Sequence, residues 1–198
     1  MFKNISFFVL LAFCFLQAAD KYIQHDLKVS LYPDKNSIEV TDRITFPDAE
    51  RNKEFIFIIH QGLKIEAVTN GLKAEKIASG LAAKDMGMDR EDAERVLELL
   101  VDKYKIVFSE DKEPLSQLEI KYSGIIHHPV RQSSQEYARG FSESAGIIDT
   151  QGVYLAGSSY WIPYFNEELI TFNMEVTVPQ GWSAVSQGKR TKHDKSDS

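Results

Sequence analysis

"HDLKVSLYPDKNSIEVTDRITF", residues 25–46, alternates apolar and polar side chains on both sides of a break at Pro33–Asn36. Leu27, Val29 and Leu31 fall on one face, with Asp26, Lys28 and Ser30 on the other. After the break, Ile38, Val40, Ile44 and Phe46 repeat the pattern. A period of two belongs to extended chain, in which successive side chains leave opposite faces. "PDKN" carries turn chemistry. The reading is a β-hairpin over about His25–Phe46, which places the chain in the mainly β class.

Further strand signals follow at short spacing. They are "EFIFIIH" ending at His60, "LKIEAVTNG" ending in an Asn-Gly turn at Gly71, "KYKIVF" up to Phe108, and "SQLEIKYSG" over Ser116–Gly124. Many short strands separated by turns predict an antiparallel β-sandwich or an open curved sheet. The longest run lies in "YWIPYFNEELITFNMEVTVPQGW", residues 160–182. There Ile170, Phe172, Met174, Val176 and Val178 are expected to point inward, with Thr171, Asn173, Glu175 and Thr177 outward. Full burial of such side chains is worth about 1.5–3 kcal/mol each, so the run reads as a central strand. Pro179 and Gly181 end it, and Trp182 and Val185 suggest a partner strand directly after.

One segment departs from the β pattern. In "MDREDAERVLELLVDKY", Asp89 suits a helix cap and Asp92 the capping-box position, while Ala93, Val96, Leu97, Leu100 and Val101 form a stripe. It predicts one short helix inserted between strands and covering the sheet.

Composition agrees with a folded chain: of 198 residues, 43% are apolar, 11% aromatic and 26% charged. Lys3 precedes an apolar run from Ile5 to Leu16 and then Gln17, Ala18 and Ala19, the layout of a secretory signal peptide over residues 1–19. The run is shorter than the ~20 residues of a membrane span, so no stable membrane anchor is expected. The domain reading is a β-sandwich over 20–188 with a polar tail over 189–198. The single cysteine, Cys14, lies in the leader, which excludes a disulfide framework and a thiol nucleophile from the exported chain. A net charge of −6 gives no basic footprint for nucleic acid.

Reactive constellations are sparse. His127 and His128 are adjacent and point to opposite sides in extended chain, so they do not chelate one ion. His25, His60 and His193 are isolated in sequence. "GFSES", Gly140–Ser144, lacks the final glycine and the strand-to-helix context of a nucleophile elbow. The carboxylates Asp85, Asp89 and Asp92 do not have calcium-loop spacing. No H-E-x-x-H, Walker or dinucleotide-binding motif occurs. The reading assigns no catalytic, cofactor-binding or metal residue to this chain.

Several pieces, in order, resemble a known family. "FNMEVTVPQGWSAVSQG", Phe172–Gly188, and the tract before it, "WIPYFNEE", Trp161–Glu168, are similar to the N-terminal domain of the aminopeptidase N family of zinc metallopeptidases. The early hairpin, "IEAVTNG" and "LEIKYSG" resemble further strands of that domain, so the likeness spans about Gln24–Gly188. It implies a saddle-like β-sandwich, here incomplete at its C-terminal end, standing before a catalytic domain. In that domain an H-E-x-x-H helix and a later Glu hold zinc, and a Gly-x-Met-Glu-Asn loop binds the substrate amine. None of those motifs stands in this sequence, so zinc is expected only in a catalytic domain outside it.

The family's N-terminal domain often contributes an acidic or amide side chain some nine residues before the proline of the aromatic tract. Tyr154 stands there, next to Leu155, and only a shifted alignment brings in Gln151. No amine-binding residue is therefore carried over. The expected function is a non-catalytic domain of an exported enzyme, periplasmic or extracellular. Its partners would be a catalytic domain of the same or a split polypeptide and a peptide substrate at the domain edge. The other reading is a stand-alone secreted β-sandwich that binds protein, peptide or glycan. Tyr160, Trp161 and Tyr164 are the candidate surface or domain-contact aromatics.

Overall fold

A computed structural model of the chain describes residues 22–47, 54–69, 71–82, 99–108, 116–133, 141–165 and 169–194. The signal peptide expected over residues 1–19 lies outside them. The expected hairpin is present as β1 (Ile23–Tyr32) and β2 (Ser37–Thr45), joined by a 3-10 turn over Pro33–Lys35. Proline opens this turn with its φ already set. Asn36 closes it at φ 53°, a left-handed conformation that asparagine tolerates better than most residues.

Seven further strands extend the frame: β3 (Ile56–His60), β4 (Leu63–Val68), β5 (Leu72–Ala82), β6 (Leu100–Phe108), β7 (Gln117–Ile125), β8 (Arg131–Ser133) and β9 (Phe141–Glu143). After them come β10 (Ile147–Asp149), β11 (Gly152–Tyr154) and β12 (Ile170–Thr177). They form a five-stranded sheet in the order β12-β1-β2-β7-β4, a three-stranded sheet β3-β6-β5, and two small pairs, β8-β9 and β10-β11. Every pairing is antiparallel except that of β12 with β1.

The two larger sheets share one apolar core, as a sandwich requires. Leu27 and Val29 of β1, Val40 and Ile44 of β2, and Leu118, Ile120 and Tyr122 of β7 meet Phe57 and Ile59 of β3 and Tyr104 and Ile106 of β6. Aromatic rings fill one end of this core: Phe46 lies 4.4 Å from Phe55 and 5.3 Å from Phe165, and Phe57 stacks on Tyr104 at 5.5 Å. Such pairs add about 0.5–1.5 kcal/mol to the area term. The mainly β, sandwich-like class read from the sequence is the class observed.

Three local expectations are corrected. β12 forms where the alternation placed it, but at the edge of the five-stranded sheet rather than its centre. Its apolar face is consequently only half covered: Phe172, Met174 and Val176 are partly buried, and Ile170 is 38% exposed. No strand follows at once, since residues 178–194 carry no regular secondary structure and Val185 is 90% exposed. The inserted helix does not extend over Leu100–Tyr104, which belong to β6. Val101, Tyr104 and Ile106 bury their side chains there, and β-branched and aromatic residues suit a pleated, half-buried surface. The remainder of the helix expectation, Asp89–Leu97, lies outside the described residues.

The aromatic tract has a definite place. Tyr164 exchanges both backbone hydrogen bonds with Ile58, at 3.0 and 3.1 Å, and the His60 amide donates to the Tyr160 carbonyl at 2.8 Å. Residues 160–165 thus run along the outer edge of β3 and satisfy amides that would otherwise be open to strand addition.

Candidate functional site

Polar side chains gather at three places, and each is built by strand register. The deepest is the pair His25 and Asp42. β1 and β2 pair Leu27 with Asp42 and His25 with Ile44, which sets His25 diagonally across from Asp42 on the core face. Both are fully buried, and His25 Nδ1 and Asp42 Oδ2 are hydrogen-bonded at 2.8 Å. Burial pushes the Asp42 carboxyl above its ordinary range, while His25 pulls it back. On the neighbouring strand, burial first and the charge of Asp42 second drive the Tyr122 phenol well above its usual value. Tyr122 Oη, Asp42 Oδ1 and His25 Nε2 are enclosed without a hydrogen-bond partner among the described residues. The site has no contact with solvent, so it offers no route for a substrate.

The second place joins β3 to the segment after β7. His60 Nε2 lies 2.8 Å from His128 Nε2, with the rings nearly perpendicular at 75°. The Gly62 amide donates to His60 Nδ1 at 2.9 Å, so the proton of a neutral His60 sits on Nε2 and is donated to His128. Gly62 cannot be larger: a Cβ there would meet the Ile125 carbonyl oxygen at 2.2 Å and the His60 ring at 2.9 Å. Burial, and then a charge on His128, lower His60 to about 4, against an opposing pull from Asp102. Ser144 holds the other side, with Oγ donating to the His128 carbonyl at 2.8 Å and accepting from the Gly146 amide at 3.1 Å.

This pair suits a shared proton better than a metal ion. A histidine that ligates through Nε2 carries its proton on Nδ1 and donates it outward, whereas His60 Nδ1 receives a hydrogen bond. Among the described residues no group of three or more His, Cys, Asp or Glu side chains converges.

Asp102 on β6 forms the third place. It accepts from Lys76 Nζ at 2.5 Å, Ser79 Oγ at 2.7 Å and the Gly80 amide at 3.2 Å. Burial opposes its ionisation, but these three donors together hold the carboxyl below its ordinary value. Lys76 also lies 5.5 Å over the Tyr104 ring.

The residues singled out from sequence disperse. His127 does turn away from His128: its Nδ1 lies 3.2 Å from Asn36 Nδ2 and 3.9 Å from Asp149 Oδ2. Tyr160 is 5% exposed and meets Tyr164 edge to face at 5.6 Å, with Trp161 and Tyr164 half-buried. Of the three, Tyr160 is therefore buried, while Trp161 and Tyr164 keep part of their surface open. Tyr154 is exposed on β11. "GFSES" falls on β9 and the turn after it, where Ser144 has the anchoring role just described; Gly140 lies outside the described residues.

The fold and its polar places define a mainly β, two-sheet protein whose ionisable side chains in the core are tied to one another. Comparison with protein-family models and with curated proteins finds no match. Among the described residues, no helix is long and apolar enough to cross a membrane.

Proposed function

We propose that this chain is the non-catalytic N-terminal β-sandwich domain of an exported, zinc-dependent aminopeptidase, and that it shapes access to a catalytic domain carried by another stretch of polypeptide. One observation carries the reading. Parts of the two tracts on which the family resemblance rests support it: residues 160–165 line the β3 edge, and Phe172–Thr177 belong to β12, which lengthens the main sheet. The polar constellations agree with a supporting role, because His25 bonds Asp42, His60 bonds His128, and Asp102 bonds Lys76, Ser79 and the Gly80 amide, all within the fold. Zinc, the general base and the amine-binding loop would be supplied by the catalytic domain, and a peptide substrate would meet this domain only at its edge.

Sequencing the genomic DNA around this coding region tests the proposal. A frame downstream that encodes H-E-x-x-H, a later Glu and Gly-x-Met-Glu-Asn is expected. A neighbourhood with no such frame would remove the proposal's basis.

A further inference from the structure

The outer edge of β12 is paired with no strand among the described residues, although the sequence along it complements itself. We propose that this edge binds a second copy of the chain, strand against strand in antiparallel sense, about a two-fold axis at Met174. The inference does not rest on the aminopeptidase reading.

The register follows from side-chain positions. β12 lies beside β1 with Leu27 next to Met174 and Val29 next to Val176, so Phe172, Met174 and Val176 face the core side. Thr171, Asn173, Glu175 and Thr177 occupy the opposite face, where Thr171 Oγ1 donates to Gln24 and Asn173 Nδ2 donates to Asp26 Oδ1 at 2.8 Å. An antiparallel pairing about Met174 sets Phe172 opposite Val176 of the second copy, and Met174 opposite itself. On the other face it sets Thr171 opposite Thr177 and Asn173 opposite Glu175. The half-exposed apolar row would continue into its own copy, and the second amide hydrogen of Asn173 would be placed to meet a carboxylate.

Neighbouring registers are poorer. A slip by one residue puts the apolar row of one copy against the polar row of the other. A slip by two towards the C-terminus sets Glu175 against Glu175, a like-charge pair. A slip by two the other way sets Asn173 against Asn173 and gives up the contact between Asn173 and Glu175. A two-fold arrangement uses one surface twice and closes, so it ends at a dimer rather than a fibre. No proline or lysine within Ile170–Thr177 guards the edge against addition.

Sedimentation of the purified chain over a range of concentrations, with charge variants at the two exposed threonines, tests this. Wild type is expected to populate a dimer. Thr171→Lys with Thr177→Lys brings lysines opposite each other twice and should weaken the dimer about tenfold. Mixing that variant with Thr171→Glu/Thr177→Glu should restore association between unlike copies. Circular dichroism and thermal unfolding show that each variant remains folded. A wild type that is monomeric throughout, a dimer indifferent to both charge variants, or a monomer whose β12 amides are already protected from hydrogen exchange by another part of the chain would each overturn the proposal.

Discussion

Asp42 is an acid on an otherwise apolar strand face, sharing it with Ile38, Val40 and Ile44, and His25 interrupts the matching face of β1 in the same way. Those two departures from alternation are visible in the hairpin sequence and mark the buried pair. What the sequence does not show is that register sets them diagonally. Removing one member strands the other in the core. Asp42→Ala is therefore expected to cost about 3–5 kcal/mol in denaturant unfolding, while a double replacement of His25 and Asp42 by leucine should cost far less than the two single changes together. Tyr122 gives the opposite sign: its enclosed hydroxyl lacks a partner, so Tyr122→Phe is expected to stabilise by about 1 kcal/mol. A loss of stability in that variant would show that the hydroxyl is satisfied.

The histidine pair predicts a pH dependence. Folding lowers His60 from its ordinary 6.5 to about 4, so between those values the unfolded chain binds more protons than the folded one. The contribution is complete above about pH 6.5 and is lost as pH falls through the interval to about 4. Unfolding at pH 7 and pH 5 should differ by roughly 2 kcal/mol from this group. His60→Gln should remove that difference while the opposite slope from the raised Asp42 persists in both proteins. Nothing in the spacing of His60 and His128 foretells their contact, which depends on β7 carrying the second residue past the β3–β4 turn.

At the level of elements, legibility followed the source of each signal. The hairpin was plain because alternation and turn chemistry are local. β6 was harder, since "RVLELLVDKY" satisfies a helical stripe as well as a strand, and only the partners on either side, β3 and β5, decide between them at Leu100 and beyond. β12 was recognised as a strand, but periodicity does not distinguish a centre from an edge; half-exposed Phe172 and Met174 report the difference. The tract at 160–165 shows no strand pattern because proline interrupts it, yet it pairs with β3 through the Ile58–Tyr164 bridge. Its anchor is Phe165, 8% exposed and within 5.5 Å of both Phe46 and Phe57. Phe165→Ala is expected to cost about 3–5 kcal/mol and to speed hydrogen exchange at the Ile58 and His60 amides. A substitution confined in its effect to global stability, with those amides unchanged, would separate the tract from the β3 edge.

The molecule joins two sheets through one core, and His25, Asp42, His60 and Asp102 are its buried polar ionisable side chains among the described residues. Class and core were accessible from the sequence because burial repeats with strand period. How the polar side chains meet was not, because each place draws residues from separate strands: β1 with β2, β3 with the segment after β7, and β5 with β6. The central proposal is that this chain frames a reaction carried out by a catalytic domain on another stretch of polypeptide. The most direct measurement is hydrolysis of amino-acid anilides by the purified chain with zinc supplied. No turnover above buffer is expected, at any pH from 5 to 9. Saturable hydrolysis that disappears in a His60→Ala or His128→Ala variant would contradict the account.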